Sequence, residues 1–208
     1  NPPYDPERIN AFEAGLKSNL WNGLVTLNVA AFHYEYTNMQ VSQIIGTSTV
    51  TTNAGKSSIT GAEVELAAQP VQALRLDLGI SWLPKAEYDE YDNACDPMLQ
   101  LGNCSAALRI TSDVAGHRLN RAPKYTANLG VQYEFVVGTL GSLTARGEAY
   151  RSDRLYFTPF ENSIESQAAY TLGNAYLTFR SDSQRYTVGA FVKNLSDKEV
   201  KSIVLART

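Results

Sequence analysis

Residues 124–135 read KYTANLGVQYEF, and this stretch alternates between apolar and polar side chains along its whole length. Successive side chains of an extended strand point to opposite faces, so the two sets lie on opposite sides. The apolar row is Tyr125, Ala127, Leu129, Val131, Tyr133 and Phe135. Two folds satisfy this pattern. A soluble sandwich buries the apolar row against a second sheet, whereas a membrane barrel turns it toward lipid and the polar row toward a wet lumen.

The composition is that of a folded, mildly acidic protein. The 208 residues are 44% hydrophobic and carry a formal net charge of -3, which excludes a disordered tail. No basic run suggests a nucleic-acid partner, and no apolar stretch approaches the roughly 20 residues of a membrane helix. If the chain crosses a bilayer, strands must therefore cross it. The chain begins NPPYDPERIN without Met, so we expect it to be a piece of a longer polypeptide.

The same alternation recurs along the chain and predicts eight antiparallel strands. The second strand is predicted to run from Leu24 to Tyr36 and to continue through MQVSQII at 39–45, and a ninth strand could begin at Lys198. The most regular alternation belongs to LRLDLGISW at 74–82. The other predicted strands lie near 12–17, 59–70, 124–135, 142–152, 168–180 and 185–194.

Short and long connections alternate between these strands. The short ones lie near 19–23, 69–73, 136–141 and 181–184, and the long ones at 84–121 and 153–167. An up-and-down meander then has its tight turns at one end and its long loops at the other, as outer-membrane barrels do. Aromatic residues near the strand ends are candidates for interfacial girdles: Trp82, Tyr133, Phe135, Phe179 and Tyr186. The pattern favours a membrane barrel and leaves the soluble sandwich open.

Several longer segments carry a family resemblance. The run FEAGLKSNLWNG, LVTLNVAAFHYEYTNMQV and NAGKSSITGAEVELAAQP, and the later HRLNRAPKYTANLGVQYEF, AYRSDRLYF and FVKNLSDKEV, resemble the C-terminal barrel half of a TonB-dependent outer-membrane receptor. The resemblance implies residues 1–208 to be about eight or nine strands of a 22-stranded barrel, without plug domain or final strand. Isolated, these strands would form an open sheet.

The resemblance also implies a function and its partners. Members of the family lie in the bacterial outer membrane and import scarce ligands, ferric siderophores foremost, with energy passed through TonB. The implied partners are membrane lipid and lipopolysaccharide, the protein's own plug, TonB through the N-terminal region and a small-molecule ligand, with no nucleic acid. The alternatives are a passive porin and a soluble β-sandwich binding module.

The polar rows of the strands predict a charged lumen wall. If the apolar rows, including Leu76, Leu78, Leu129 and Val131, meet lipid, the predicted lumen-facing residues are Glu63, Glu65, Arg75, Asp77, Glu134, Arg146 and Glu148. Glu65 and Arg75 are symmetric about Pro70 and are predicted to pair. In the second strand the apolar row continues into His33 and Glu35. Either that strand has left the bilayer there, or a bulge changes its parity.

The long loops hold the candidate ligand-binding residues. Rings and cations suited to an anionic or aromatic chelate are Tyr88, Tyr91, Arg109, Arg118, Arg121 and Tyr156. Packing between loops, or attraction to lipopolysaccharide phosphates, explains the same residues without a ligand. The chain's two cysteines, Cys95 and Cys104, fall in the same loop and are predicted to form a disulfide at the oxidised cell surface. The alternative is a buried reduced pair.

Motifs of catalysis and of cofactor binding are missing from the sequence. His33 and His117 have no companion ligands at metal-binding spacing, and no nucleophile elbow, P-loop or dinucleotide fingerprint occurs. The acidic run DEYDNACDP at 89–97 lacks the spacing of a calcium loop. We therefore expect neither an enzyme nor a bound cofactor or metal.

Overall fold

The computed structural model describes residues 4–45, 48–53, 55–92, 94 and 112–204. Within these ranges the chain folds into strands, joined by turns and one 3-10 turn at Trp21–Gly23. No helix in this part of the chain is long and apolar enough to span a membrane. The strands are β1 (Arg8–Leu20), β2 (Val25–Thr37), β3 (Gln40–Ile45), β4 (Ser48–Asn53), β5 (Lys56–Val71), β6 (Leu74–Glu90), β7 (Tyr125–Val136), β8 (Gly141–Ser152), β9 (Leu155–Tyr156), β10 (Ser166–Gln167), β11 (Tyr170–Ser181) and β12 (Thr187–Val192).

Eight of these strands form one antiparallel sheet, which confirms the predicted all-β meander. Their order is β1-β2-β5-β6-β7-β8-β11-β12, so sequential strands of the sheet are also neighbours in space. The remaining strands form two separate hairpins, β3-β4 and β9-β10. Strands β1 and β12 are the two edges of the sheet and share no ladder in the described residues. Among the residues that the structure describes, the sheet is open, and no second sheet of similar size is present to form a sandwich with it.

Tight turns and long connections lie at opposite ends of this sheet, as the loop lengths predict. The tight turns follow β1, β5, β7 and β11, and the long connections follow β2, β6 and β8. The first turn bends within three residues because Asn22 (φ 56°) and Gly23 (φ 86°) adopt the left-handed conformation. The ends of the sheet are therefore different: one is compact, and the other carries the β3-β4 and β9-β10 hairpins.

Two predicted strand boundaries are wrong. β2 ends at Thr37 because Asn38 has a positive φ of 55°, and residues 40–45 fold back on β4 instead of extending β2. β6 continues to Glu90, so the loop predicted to begin at 84 begins after that residue. Pro84 is accommodated because it lies where the β5-β6 register shifts, and a bulge tolerates the missing N–H. Beyond Trp82, the described strand that pairs with β6 is β5, and Glu87 of β6 bridges to Arg118 in the connection that follows.

The ninth strand does not form in the described residues after Lys198. Instead the Asn194 side chain closes a turn: its Oδ1 accepts the Lys198 N–H at 3.0 Å, and its Nδ2 donates to the Lys198 carbonyl at 3.1 Å. Such local bonds offer the backbone an alternative to a ladder.

The parity of β2 is unbroken. Its register with β1 and with β5 runs without a shift from Val25 to Thr37, so the bulge proposed to explain His33 and Glu35 is wrong. His33 Nδ1 lies 2.8 Å from Thr60 Oγ1, and its Nε2 lies 3.6 Å from Glu35. These polar residues stay on the apolar face of the strand near its long-loop end, which supports the alternative that the strand has left the bilayer.

Buried apolar residues gather at the long-loop end of the sheet. The cluster consists of Ala86, Tyr88, Tyr91, Ala94, Val114 and Leu119. Along the body of the sheet, by contrast, large apolar side chains are open: Leu16 is 61% exposed and Leu129 is 48% exposed. A contiguous apolar face of this kind marks contact with a membrane or partner.

Candidate functional site

The polar face of the sheet brings distant charged residues into register. β7 places Gly130 opposite Asp77 of β6 and opposite Glu148 of β8. In the neighbouring row, Gln132 of β7 lies opposite both Arg75 and Arg146. Two carboxylates therefore form one row across three strands, and two guanidinium groups form the adjacent row.

Ion pairs connect these two rows. Arg146 lies at the centre: its Nη1 is 2.9 Å from Asp77 Oδ2, and its Nε donates to Glu148 Oε1 at 2.8 Å. Arg75 Nη2 lies 3.0 Å from Asp77 Oδ1. The Arg146 and Asp77 side chains are 26% and 22% exposed, whereas that of Arg75 is 57% exposed. The four charges sum to zero, so this ion-pair wall (Arg75, Asp77, Arg146 and Glu148) is neutralised within the sheet.

Arg146 can reach Asp77 because Gly130, which lies between them, has no side chain. The Arg146 side chain crosses β7 above Gly130, and a Cβ built at Gly130 would lie 2.6 Å from Arg146 Nη2. Gly79 serves the Asn128 side chain in the same way. Glycine within a strand often marks such a close approach.

The other predicted lumen-facing residues share this face. Glu63 and Glu65 lie opposite Ser81 and Gly79, and Glu134 lies opposite Thr144. Glu63 accepts a 3.3 Å hydrogen bond from Ser81 Oγ, and Glu65 accepts one of 3.3 Å from Asn28 Nδ2. All seven predicted residues therefore lie on one face by register. That this face lines a lumen stays a prediction.

The predicted pairing of Glu65 with Arg75 is wrong. The β5-β6 turn is centred on Gln72 and Ala73, because Val71 pairs with Leu74 after a register shift that begins at Ala68. Glu65 consequently faces Gly79, and Arg75 bonds to Asp77.

At the long-loop end, two of the predicted ligand-binding rings are buried. Tyr88 and Tyr91 are 2% and 4% exposed, and their ring centroids are 5.3 Å apart. Burial raises the pKa of the Tyr88 hydroxyl to about 12. The Tyr88 backbone also joins β6 to the loop, through a 2.9 Å bond to the His117 carbonyl. In this conformation both rings contribute to loop packing, and their role in ligand binding remains a prediction.

Two of the predicted ligand-binding arginines, Arg118 and Arg121, lie at this end and have different surroundings. Arg118 donates to the carbonyls of Leu83 at 3.0 Å and Ala122 at 3.2 Å, so its guanidinium fastens the loop to β6. Arg121 is exposed, and its guanidinium carbon lies 5.7 Å from the centre of the Phe157 ring. Its backbone N–H donates to the carbonyl of half-buried Tyr156 at 2.7 Å. Arg121, Tyr156 and Phe157 thus form an accessible cation-and-ring patch between the two long connections.

Three predicted residues lie outside the described part of the chain. They are Arg109, Cys95 and Cys104. The ligand assignment of Arg109 and the disulfide therefore remain predictions.

The acidic residues at the end of β6 are engaged by neighbouring side chains. Asp89 Oδ1 accepts from Lys85 Nζ at 2.8 Å and from Ser58 Oγ at 2.9 Å. Burial alone would raise the pKa of Asp89, but these two hydrogen bonds, together with nearby positive charge, chiefly that of Lys85, outweigh it and hold the pKa below its ordinary value. Glu90 pairs with Lys56 at 2.7 Å, which raises the Lys56 pKa. Within the described residues, no group of three or more His, Cys, Asp or Glu is placed to hold a metal ion.

The burial of one charged residue, Glu165, could not be predicted from the sequence pattern. Glu165, in the β8-β11 connection, has no exposed surface, although neither its neighbours nor any periodicity distinguishes it from a solvated loop residue.

Known proteins share both the fold and the sequence pattern. A family model described as TonB dependent receptor-like, beta-barrel, matches residues 1–195. The ferric yersiniabactin uptake receptor FyuA from Yersinia pestis superposes with a TM-score of 0.71 at 21% identity, over 94% of this chain and 26% of its own. The siderophore receptor PiuA from Acinetobacter baumannii gives 0.71 at 24% identity, over 94% and 25%. The copper transporter OprC gives 0.63 at 14% identity, over 96% and 26%.

These structural similarities establish the fold, and the chain spans about a quarter of the length of each solved structure. The family match covers nearly the whole chain and agrees with the open antiparallel sheet and its segregated turns. This protein therefore belongs to the TonB-dependent receptor β-barrel family, whose members lie in the bacterial outer membrane.

Proposed function

We propose that the protein is a TonB-energised receptor that imports a scarce small-molecule chelate, with a ferric siderophore as the favoured ligand. The observation that carries this proposal is the family match over residues 1–195. Siderophore receptors among the structurally similar proteins, FyuA and PiuA, favour an iron chelate. The copper transporter OprC has the same fold with another cargo, so the ligand class must be tested directly.

The cation-and-ring patch supports a role in ligand capture. Arg121 is exposed beside Phe157, with Tyr156 alongside. A guanidinium attracts carboxylate and other anionic groups, and flanking rings favour flat or aromatic ones. We therefore assign first contact with an anionic chelate to this patch, at the end of the sheet that carries the long loops.

The ion-pair wall supports a role as the inner surface of the barrel. Paired charges on one face and apolar side chains on the other match the alternation of a membrane barrel with a polar interior. We propose that this wall contacts the protein's own plug and that energy arrives from TonB, while the apolar face contacts lipid and lipopolysaccharide.

The test measures uptake of labelled ferric siderophores by iron-starved cells that carry the full-length protein as their one siderophore receptor. We expect accumulation that requires TonB. We expect Arg121→Ala to weaken cell-surface binding, and the matched control Arg185→Ala, an exposed arginine in the β11-β12 turn, to leave it unchanged. Accumulation without TonB would instead indicate a passive porin. Equal effects of the two substitutions would refute the assignment of the patch.

A further inference from the structure

The chain that follows β12 lies against the β9-β10 hairpin at the long-loop end of the sheet. Residues 194–201 form this strap. The strap first contacts β11, where the Leu195 N–H donates to the Gly173 carbonyl at 2.8 Å, beyond the Ala175 end of the β11-β12 ladder. From there the strap continues to the connection between β8 and β11.

Lys201, at the end of the strap, holds the β10 side of the hairpin. Its Nζ donates to the carbonyls of Ile164 at 3.1 Å and Ser166 at 3.0 Å. Its backbone N–H donates to Gln167 Oε1 at 2.8 Å. Both residues of β10, Ser166 and Gln167, are buried. Three hydrogen bonds from one residue of the strap therefore fasten this buried strand.

Lys201 also brings a positive charge to a buried acid. The two carbonyls that its Nζ binds flank Glu165, which has no exposed surface. Glu165 Oε2 accepts hydrogen bonds from Thr158 Oγ1 at 2.8 Å and from Asn162 Nδ2 at 3.1 Å, so the carboxylate closes the turn between β9 and β10. Burying a carboxylate is costly without compensating charge, and the ammonium on the flanking backbone reduces this cost.

All three residues of the cation-and-ring patch are bonded to this hairpin or belong to it. Tyr156 pairs with Ser166 in the β9-β10 ladder. The Phe157 N–H donates to the Glu165 carbonyl at 2.8 Å, and the Arg121 N–H donates to the Tyr156 carbonyl at 2.7 Å. A contiguous series of hydrogen bonds therefore leads from the strap to the patch.

We propose that Lys201 is a positioning residue for ligand capture, which holds β10 and thereby keeps the cation and the rings of the patch in one arrangement before the ligand arrives. The inference rests on the proposed function, in which the patch makes first contact with an anionic chelate. Preorganisation raises affinity without a new contact, because apparent affinity falls with the fraction of the protein whose site is assembled. Lys201 acts through the patch and does not itself touch the ligand.

Hydrogen–deuterium exchange of the full-length protein in detergent, read at single amides, tests the positioning. Lys201→Met should speed exchange of the Phe157 and Arg121 amides by about threefold to tenfold, because the loss of a hydrogen bond shifts a local opening equilibrium by about this factor. The Leu119 amide, which bonds to the Ala86 carbonyl at 2.7 Å, should exchange at an unchanged rate. Lys201→Arg should restore slow exchange, because a guanidinium also donates to two carbonyls.

The second measurement is cell-surface binding of a labelled ferric siderophore. Lys201→Met should weaken binding by up to the same factor, and Lys201→Arg should restore it. In an Arg121→Ala background, Lys201→Met should cause a smaller loss than in the wild type, because it acts through a patch that is already impaired. The matched control is Lys198→Met, at an exposed lysine of the strap whose backbone bonds to Asn194, and it should change neither measurement.

Unchanged exchange of the Phe157 and Arg121 amides in Lys201→Met would overturn the positioning role. Faster exchange with unchanged siderophore binding, or an equal loss of binding with and without the Arg121 guanidinium, would show that Lys201 does not act through the patch. A wild-type protein that binds no ferric siderophore would refute the proposed function instead. The exchange measurement uses no ligand and no TonB, and it would then decide the role of Lys201 alone.

Discussion

Replacing Arg146 should destabilise the barrel more than replacing Arg75, although both arginines bond to Asp77. Arg146→Met removes the 2.9 Å contact with Asp77 and the 2.8 Å contact with Glu148, both between side chains that are one-third exposed or less. Arg75→Met removes the contacts with one partner, Asp77, which are made by Nη2 and Nε of an arginine that is 57% exposed. Methionine keeps an unbranched chain in both variants, so the comparison isolates the guanidinium group.

The expected change in the free energy of unfolding depends on how exposed each arginine side chain is. Hydrogen bonds to charged groups contribute about 1.5 to 3 kcal/mol each when partly buried, and the two bonds of Arg146 share one side chain. We therefore expect Arg146→Met to cost about 2 to 4 kcal/mol, with part of the loss recovered because Asp77 retains Arg75. An exposed pair contributes about 0.2 to 1 kcal/mol, which is the range expected for Arg75→Met.

Both variants should be compared in the full-length protein by denaturant unfolding in lipid vesicles, with the change in free energy taken from the midpoint at constant slope. Asp77→Asn in each background completes a double-mutant cycle. Coupling of Asp77 should be greater to Arg146 than to Arg75. Equal costs for the two arginines, or stronger coupling of Asp77 to Arg75, would refute the reasoning from exposure.

Three further predictions concern the apolar face and the long-loop end. Leu78→Arg should destabilise the full-length protein by about 2 to 4 kcal/mol in vesicle unfolding if Leu78 lies near the bilayer midplane; an effect no larger than that of Ser81→Arg, on the polar face opposite Glu63, would contradict the facing assignment. Because folding lowers the pKa of Asp89, its stabilisation is present above the unfolded pKa and is lost as the pH falls through the folded value. Loop exchange should therefore rise below about pH 4, with a weaker pH dependence in Asp89→Asn, and an unchanged profile in that variant would rule out this contribution. Cys95 and Cys104 should be found as a disulfide by non-reducing mass spectrometry, contributing about 2 to 3 kcal/mol in the loop-entropy model; two free thiols would exclude it.

The strands of the sheet were predictable because period-two alternation is a local property. LRLDLGISW and KYTANLGVQYEF both form strands in which the apolar residues share a face. The end of the sheet at which each connection lies was predictable from the alternation of short and long connections. These features need no knowledge of how strands are paired.

The side-chain pairs and some strand ends could not be predicted from the alternation, because they depend on strand register and on the backbone conformation of single residues. The bond from Arg146 to Asp77 joins residues 69 positions apart, and it requires both the registers of β7 and the glycine at position 130. The pairing predicted for Glu65 failed because a shift near Ala68 moved the centre of the turn. The positive φ of Asn38 ended β2, although the sequence beyond it remains strand-like.

Burial at the long-loop end was also beyond the sequence. Tyr88 and Tyr91 are of a residue type that is common on ligand-binding surfaces, yet both rings are buried in the apolar cluster. Glu165 looks like a solvated acid in the sequence, and only the fold of its connection encloses it. In both cases the deciding contacts come from loops whose course has no periodic signal.

The claim that the apolar face contacts lipid and that the ion-pair wall faces the lumen is tested most directly by spin labels. Their accessibility is measured along β6 and β7 of the full-length protein in a bilayer. Labels at Leu78, Leu129 and Val131 should be reached by lipid-soluble oxygen, and labels at Gly79, Ser81 and Asn128 by a water-soluble nickel chelate, with a period of two along each strand. The opposite assignment of the two rows, or equal access of both reagents to both rows, would contradict the account of an apolar face in lipid and an ion-paired face in the lumen.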